Sequence, residues 1–547
     1  MKLLHPARLA AALALLFPLA APAFAQAADP PEVTLGERLF LETRFAQFFA
    51  ANSGGDVNAT LAAGDPALDT TQTTGAPLPG PFAGQSMNCR ACHLVDEQAG
   101  VKGGGVRTYA DFAVRSPIPA REDGKLSTLR NTPSLVNATL PRTQPPFFLH
   151  FDGEFRTTRE LVAATLTGRN YGWLASEREQ AVAHIAAVLR GDDGTGALAQ
   201  QSGGAYAVVL GGKDPGIPAE LLLPPAYRVD VAKAGDEKLL KAVSKLIAAY
   251  VDSLRFSKDA DGHYDASPYD VFLAKNGLPA APDKGETPLQ YSVRLKQLVD
   301  ALPSPLFVDD SDGSFQLHDQ DFVFGATELA GLKVCFTRLG DVPQATSGVG
   351  NCIVCHAAPD MTDFAFHNTG ATQREYDALH GDGAFALLAV PDYLTRKADP
   401  DAFLHPSAKH PDALGPFACV PELAEPGHAD LGLWNVFLNP DIPRPQHALK
   451  KLVTQDFGKG SKSQQLDRTI ALFKTPSLRD LGQSGPYLHN GLFTSLADTV
   501  QFYEDEAELA RDGLLRNGDI EMSGIRLDAE DVAALAAFLA ALNEDYD

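Results

Sequence analysis

Basic residues are scarce in this chain of 547 residues: 46 Lys and Arg stand against 69 Asp and Glu, a net charge of −23. That balance excludes a dedicated nucleic-acid binder, whose phosphate contacts need a basic face. It leaves open an acidic, well-solvated surface and attraction to a basic or neutral partner. Long apolar runs are also missing. The one such stretch, residues 9–19, follows Lys2 and Arg8 and precedes Ala23-Phe24-Ala25. This is the pattern of a cleaved export signal over residues 1–25, too short to span a bilayer with its flanks. Beyond it no segment is apolar enough to cross a membrane. Strand signals are sparse, which points away from a sheet-built fold.

Cysteine is scarce too, with six in the chain, and four of them fall into one repeated pattern. Cys89-Arg90-Ala91-Cys92-His93 and Cys352-Ile353-Val354-Cys355-His356 both read C-x-x-C-H, the attachment signature of a c-type haem. Two thiols at this spacing can bond the two vinyl groups of one porphyrin, and the adjacent His then lies under the iron as proximal ligand. Zinc-binding or disulfide C-x-x-C turns are the alternative, but a His directly after both second cysteines argues against them. Covalent haem fits export to an oxidising compartment, the bacterial periplasm. There the two remaining cysteines, Cys335 and Cys419, suggest a disulfide, although sequence does not show that they meet.

Helical periodicity recurs over residues 157–166, 177–189, 237–254, 328–336 and 528–542. The expected fold is mostly α: two cytochrome c-like haem domains with long loops and insertions. The N-terminal haem domain covers 26–193 and an inserted, mostly helical segment covers 194–324. The C-terminal haem domain covers 325–547, with an irregular Pro- and Asp-rich insertion at about 376–465.

Three further stretches carry a resemblance. They are Leu129-Arg130-Asn131-Thr132-Pro133-Ser134, Phe151-Asp152-Gly153, and Phe473-Lys474-Thr475-Pro476-Ser477-Leu478-Arg479 followed by Gly485-Pro486-Tyr487-Leu488-His489-Asn490-Gly491. In this order around two C-x-x-C-H motifs, the set resembles the bacterial dihaem cytochrome c peroxidase family, including its MauG-type members. The resemblance implies a peroxide-reacting N-terminal haem and an electron-handling C-terminal one. It implies a second axial ligand at the C-terminal haem, fourteen residues after His489. That position is Tyr503, where typical peroxidases carry Met, and none of the four Met residues (Met1, Met87, Met361, Met522) lies there. A Tyr oxygen favours higher iron oxidation states, so the match is MauG-like.

At the first haem, the place of the family's displaceable distal His is Tyr109, and no His lies between His93 and His150. The iron there is expected to be open. The family's distal Gln and Glu positions fall on Leu161 and Tyr171, so the acid/base must come from elsewhere. His150 is the first candidate, followed by Glu154, Glu160, Glu177 and Glu179. Phe151 stands where the family often has a Trp between the haems, and Trp173 is the candidate substitute. The resemblance also implies a Ca2+ ion held by Asn131, Ser484 and Pro486. Hydrogen peroxide is the implied oxidant. The implied partners are a small cytochrome or cupredoxin electron donor, or an organic or protein substrate. A dihaem oxygenase and a non-enzymatic dihaem electron carrier are the rival functions.

Overall fold

The computed structural model describes residues 29–70, 86–93, 115–140, 147–315, 320–456, 458–481 and 484–544. The export signal and Tyr109 lie outside the described residues. Helices dominate, and no described helix is long and apolar enough to cross a membrane.

The first core gathers α1 (Pro31–Phe40), α2 (Thr158–Leu166), α3 (Arg178–Gly191) and α4 (Asp236–Ser253). Thr157 caps α2 by accepting from Glu160 N at 3.3 Å. Helix α4 buries Leu239, Leu240, Val243, Leu246, Ile247, Tyr250 and Val251 along one face. Each such side chain contributes about 1.5–3 kcal/mol on burial, whereas an isolated helix of this size is marginal. Helix α1 crosses α4 at Gly36, where any Cβ would overlap the Leu246 carbonyl oxygen and lie 3.0 Å from Tyr250 Cβ.

The second core repeats the device. It gathers α5 (Pro268–Lys275), α6 (Pro288–Asp300), α7 (Ala326–Phe336), α8 (Leu496–Arg511) and α9 (Ala529–Ala540). Asp528 caps α9, accepting from Glu530 N and Asp531 N at 3.0 Å each. Helix α7 crosses α9 at Gly331, where a Cβ would overlap the Ala534 carbonyl and lie 2.7 Å from Phe538 Cβ. In each core, then, a helix preceding a C-x-x-C-H motif meets a later helix at a glycine.

The described residues of the expected segment 194–324 divide between these two cores. Its residues up to Tyr264 join the first core, which α4 closes, and those from Tyr269 join the second. Periodicity reveals that α4 is amphipathic but not which core its stripe meets.

The insertion at about 376–465 is also more ordered than its Pro-rich sequence implies. Its short helices and the loops between them bury a third core of Tyr376, Phe385, Phe417, Leu431, Leu433 and Trp434, joined by Phe148 and Phe366. Arg396 lies 4.5 Å over the Trp434 ring and donates to Phe437 O at 2.6 Å. The chain leaves for this unit after β1 (Phe366–His367) and returns at β2 (Phe473–Lys474). The two strands pair antiparallel, His367 opposite Phe473.

Candidate haem and peroxide site

Both C-x-x-C-H motifs fold as single 3₁₀ turns, Cys89–Ala91 and Cys352–Val354. In such a turn residues i and i+3 eclipse, so the two thiols of each motif share one edge. The motif His follows at once, its N–H donating to the first Cys carbonyl at 2.8 Å (His93) and 2.7 Å (His356). Each turn is anchored to the helix before it. Asn88 accepts from Ala91 N at 3.0 Å and donates to Leu41 O at 2.9 Å, just past α1. Gly350 N donates to Val334 O and Asn351 N to Thr337 O, both at 2.9 Å, at the end of α7.

The donor chemistry fits haem. Burial pushes the Cys89 and Cys92 thiols up to about 11 and about 12, so both are thiols, the form that adds across a vinyl group. The Cys89 sulfur lies 3.2 Å from Tyr171 OH. His356 Nδ1 donates to Met361 O at 3.1 Å, which leaves its Nε2 lone pair for a metal, and burial keeps this imidazole neutral. One cavity of about 1670 Å³ is lined by both motifs, by His150, Phe151, Trp173 and Tyr503, and by Asn131, Ser484 and Pro486.

Around the second motif, Tyr503 projects from α8 and packs on Ala507, Met522 and Ile525. Burial raises its hydroxyl pKa, negative charge on Cys355 and Cys352 would raise it further, and all three residues line the cavity. His367 completes this side, with Nε2 2.8 Å from Asp363 Oδ2 and Nδ1 2.5 Å from Asp519 Oδ2. Burial opposes its charge, but the two carboxylates and nearby Cys355 hold it protonated well above the usual His range. Sequence reasoning passed over His367. Its signal was the Asp363…His367 spacing, and nothing local announced Asp519.

Around the first motif, His150 opens a tight loop with φ +62° and its Nδ1 lies 3.3 Å from Glu154 Oε2. Both residues line the cavity. The loop is held from below: Asp152 accepts from Arg130 at 2.6 Å, and Arg130 also grips Asp430 of the insertion at 2.5 and 2.8 Å. Phe151 O accepts from Lys474 N at 2.6 Å, tying the loop to β2. Trp173 is buried in the first core and donates from Nε1 to Phe45 O at 3.1 Å.

The other carboxylate candidates lie elsewhere. Glu177 is locked by Arg121 at 2.7 and 2.8 Å, and that guanidinium holds its carboxyl below the usual range. Glu179 is exposed on α3, away from the cavity lining, and Glu160 pairs with Arg444. One residue of register on a helix decides which way a carboxylate points, and ungapped counting does not resolve it.

Asn131 and Pro486, two of the residues matched to the calcium positions, lie side by side. Asn131 N donates to His489 O at 2.7 Å, and its side-chain amide abuts Pro486 O. Amide oxygen and nitrogen are interchangeable by assignment, so a flip of Asn131 presents two oxygens to one point, the donor type calcium prefers. Ser484 lines the same cavity. Nearby, Phe473 and His489 stack with centroids 3.5 Å apart and planes 12° from parallel. Cys335 and Cys419 are both free thiols; Cys419 donates to Gly415 O at 3.2 Å and makes no bond to Cys335.

No family model matches the chain. Among curated proteins it is 34% identical over 93 residues to the methylamine utilization protein MauG of Methylophilus methylotrophus, covering 17% of this chain and 26% of that protein. It is 24% identical over 203 residues to the cytochrome-c peroxidase IdrP2 of Denitromonas iodatirespirans, covering 36% of this chain and 37% of that one. The chain thus spans well under half the length of these relatives. Among solved structures, the dihaem peroxidase BthA of Burkholderia thailandensis aligns at TM-score 0.46 and 17% identity, over 94% of this chain and 86% of that one. A MauG-like protein associated with microbial copper homeostasis aligns at TM-score 0.42 and 14% identity, over 94% and 90%.

Proposed function

We propose that this chain, similar to MauG proteins and cytochrome c peroxidases, is an exported, periplasmic dihaem c-type oxidoreductase that reacts with hydrogen peroxide. The observation that carries the proposal is an asymmetry: two matching C-x-x-C-H turns border one cavity, and a half-buried tyrosine, Tyr503, lines that cavity with them. Haem at these positions would supply iron able to accept peroxide and to hold oxidising equivalents.

Cys89 and Cys92 would attach the first haem, with His93 beneath it; Cys352 and Cys355 the second, with His356 beneath and Tyr503 opposite. Tyr503 must shed its phenolic proton to serve as an anionic donor. The cationic His367 favours that loss against the cost of burial. At the first site, His150 is the group to take a proton from one peroxide oxygen and return it to the other. Glu154 at 3.3 Å orients its ring and balances its charge. Arg130 fixes the loop through Asp152. Phe151, tied to β2, is better placed than Trp173 to stand between the two halves. Asn131, Ser484 and Pro486 would hold Ca2+ where the halves meet.

Electrons would come from a small cytochrome or cupredoxin, or from an organic or protein substrate. The insertion favours an organic substrate in one respect, since His405, Leu414, Cys419 and His428 add a wall to the same cavity. That is the observation behind a dihaem oxygenase as second reading.

Electron paramagnetic resonance of the haem-loaded chain tests the proposal. One high-spin and one low-spin ferric signal, both changing with hydrogen peroxide, are expected. Two low-spin signals unmoved by peroxide would leave an electron carrier in its place.

A further inference from the structure

Cys335 sits in the last turn of α7 and is 1% exposed. Cys352 packs against the core cluster that holds Cys335, its thiol donating to Gly350 O at 3.4 Å, and both residues line the cavity. A Cβ on Gly350 would lie 3.0 Å from Cys352 Sγ and 3.1 Å from Cys335 Cα, so the Cys352 sulfur is folded back over the end of α7. The segment that holds it there is pinned by the Gly350–Val334 and Asn351–Thr337 bonds. The second site therefore assembles three cysteines, Cys335, Cys352 and Cys355. The first site has no counterpart: counted from the crossing glycine, the residue equivalent to Cys335 is Phe40. Cys419, the other unassigned cysteine, is engaged with Gly415 in the insertion.

We propose that Cys335 and Cys352 form a disulfide in the haem-free chain, which places loading of the second haem under a thiol–disulfide control exerted by a third cysteine that the first site lacks. The proposal rests on Cys352 and Cys355 being a haem attachment pair. Cys352 Sγ and Cys335 Cα lie 3.0 and 3.1 Å from one point beside Gly350, so a rotation of the Cys335 side chain brings the two sulfurs within reach of bonding geometry. The step consumes one disulfide of a dithiol oxidant or of oxidised glutathione: the Cys335–Cys352 bond forms, and the oxidant leaves as two thiols carrying the two protons and two electrons. Attachment of haem at Cys352, in contrast, adds an S–H across a vinyl C=C with no net oxidation. A Cys352 tied to Cys335 has no S–H to add. A two-electron thiol reductant must first reopen the bond, and until then Cys355 alone can attach.

The test is peptide mapping, without reduction, of the full chain made with its haem-attachment machinery in the presence and absence of a thiol reductant. Without reductant, a Cys335–Cys352 linked peptide is expected, two mass units lighter than the reduced pair, in molecules that carry fewer than two fully attached haems. Reductant, or Cys335→Ser, should bring the pyridine haemochrome ratio up to two haems per chain and remove the single-thioether band. Cys335→Ala serves if the Ser variant does not fold, and the wild-type map needs no variant. Cys335 alkylated as a free thiol in every fraction, or bonded to Cys419, would overturn the proposal while leaving the haem assignment intact. Absence of haem at Cys352 and Cys355 under all conditions would instead overturn the assignment, with the peptide map still reporting on the disulfide.

Discussion

Replacing Gly331 with Ala isolates the contribution of one helix crossing to one haem site. On helix propensity alone the change would stabilise α7 by about 1 kcal/mol. The crossing reverses the sign. The added Cβ overlaps the Ala534 carbonyl oxygen, lies 2.5 Å from its carbon and 2.7 Å from Phe538 Cβ, and two of these three atoms are backbone. Relief requires α7 and α9 to separate, and overpacking of this kind costs about 1–3 kcal/mol or more. The expected net loss in the second core is a few kcal/mol, a fall in its thermal transition of about 2–4 °C per kcal/mol for a domain of 150–250 residues. Gly36→Ala is the matched arm, with overlap on Leu246 in the first core. Calorimetry of the haem-loaded chain, read beside the two ferric spin signals, separates them. Gly331→Ala should lower the transition and broaden the low-spin signal, and Gly36→Ala should do so for the high-spin one. A Gly331→Ala chain as stable as wild type, or stabilised by the propensity gain, would refute the close-crossing account.

Four further outcomes follow from the site. If Tyr503 ligates the second haem as proposed, Tyr503→Phe should shift or abolish the low-spin signal; an unchanged spectrum would exclude ligation. Glu506, fully buried one turn beyond Tyr503, has no hydrogen-bond donor on either carboxylate oxygen among the described residues, and Arg374 stands 3.7 Å away. Burial raises its pKa to about 7, against 4.5 in the unfolded chain, so the folded state binds the extra proton. Its contribution to stability is complete below about pH 4.5 and is lost as pH rises through about 7. Glu506→Gln should flatten that part of the stability profile between pH 5 and 8, whereas parallel profiles would contradict it. Arg130→Met strands Asp152 and Asp430, both buried, and should cost about 3–5 kcal/mol in denaturant titrations; a loss below about 1 kcal/mol would contradict the clamp. Removing calcium with a chelator should lower the thermal transition of wild type but not of Asn131→Ala, the difference reaching about 2.7 kcal/mol when the ion is at a hundred times its dissociation constant.

Much of this protein is written locally. The C-x-x-C-H strings fold as 3₁₀ turns because their geometry needs five consecutive residues and little else. The helices over 158–166, 178–191, 236–253, 326–336 and 529–540 follow from apolar stripes and short caps such as Thr157 and Asp528. Other features were illegible for the same reason in reverse. His367 acquires Asp519 from 152 residues away, and Arg130 acquires Asp430 from 300 away. Glu177 and Glu179 are equally plausible carboxylates in sequence, yet Arg121 takes one and solvent the other. The Pro-rich insertion hides a core built from aromatic and aliphatic residues scattered over short helices and the loops between them.

By itself the sequence determined two C-x-x-C-H turns and a helical framework. Those are short-range facts, set by residue spacing and side-chain chemistry. Only the tertiary structure decided that α4 closes the first core as α9 closes the second, and that His150 and Glu154 rather than Glu177 border the cavity. It also placed Cys335 against Cys352 and not against Cys419. Each of these is a meeting of surfaces far apart along the chain, settled by which apolar faces and glycine crossings pack together, and no local pattern records the partner.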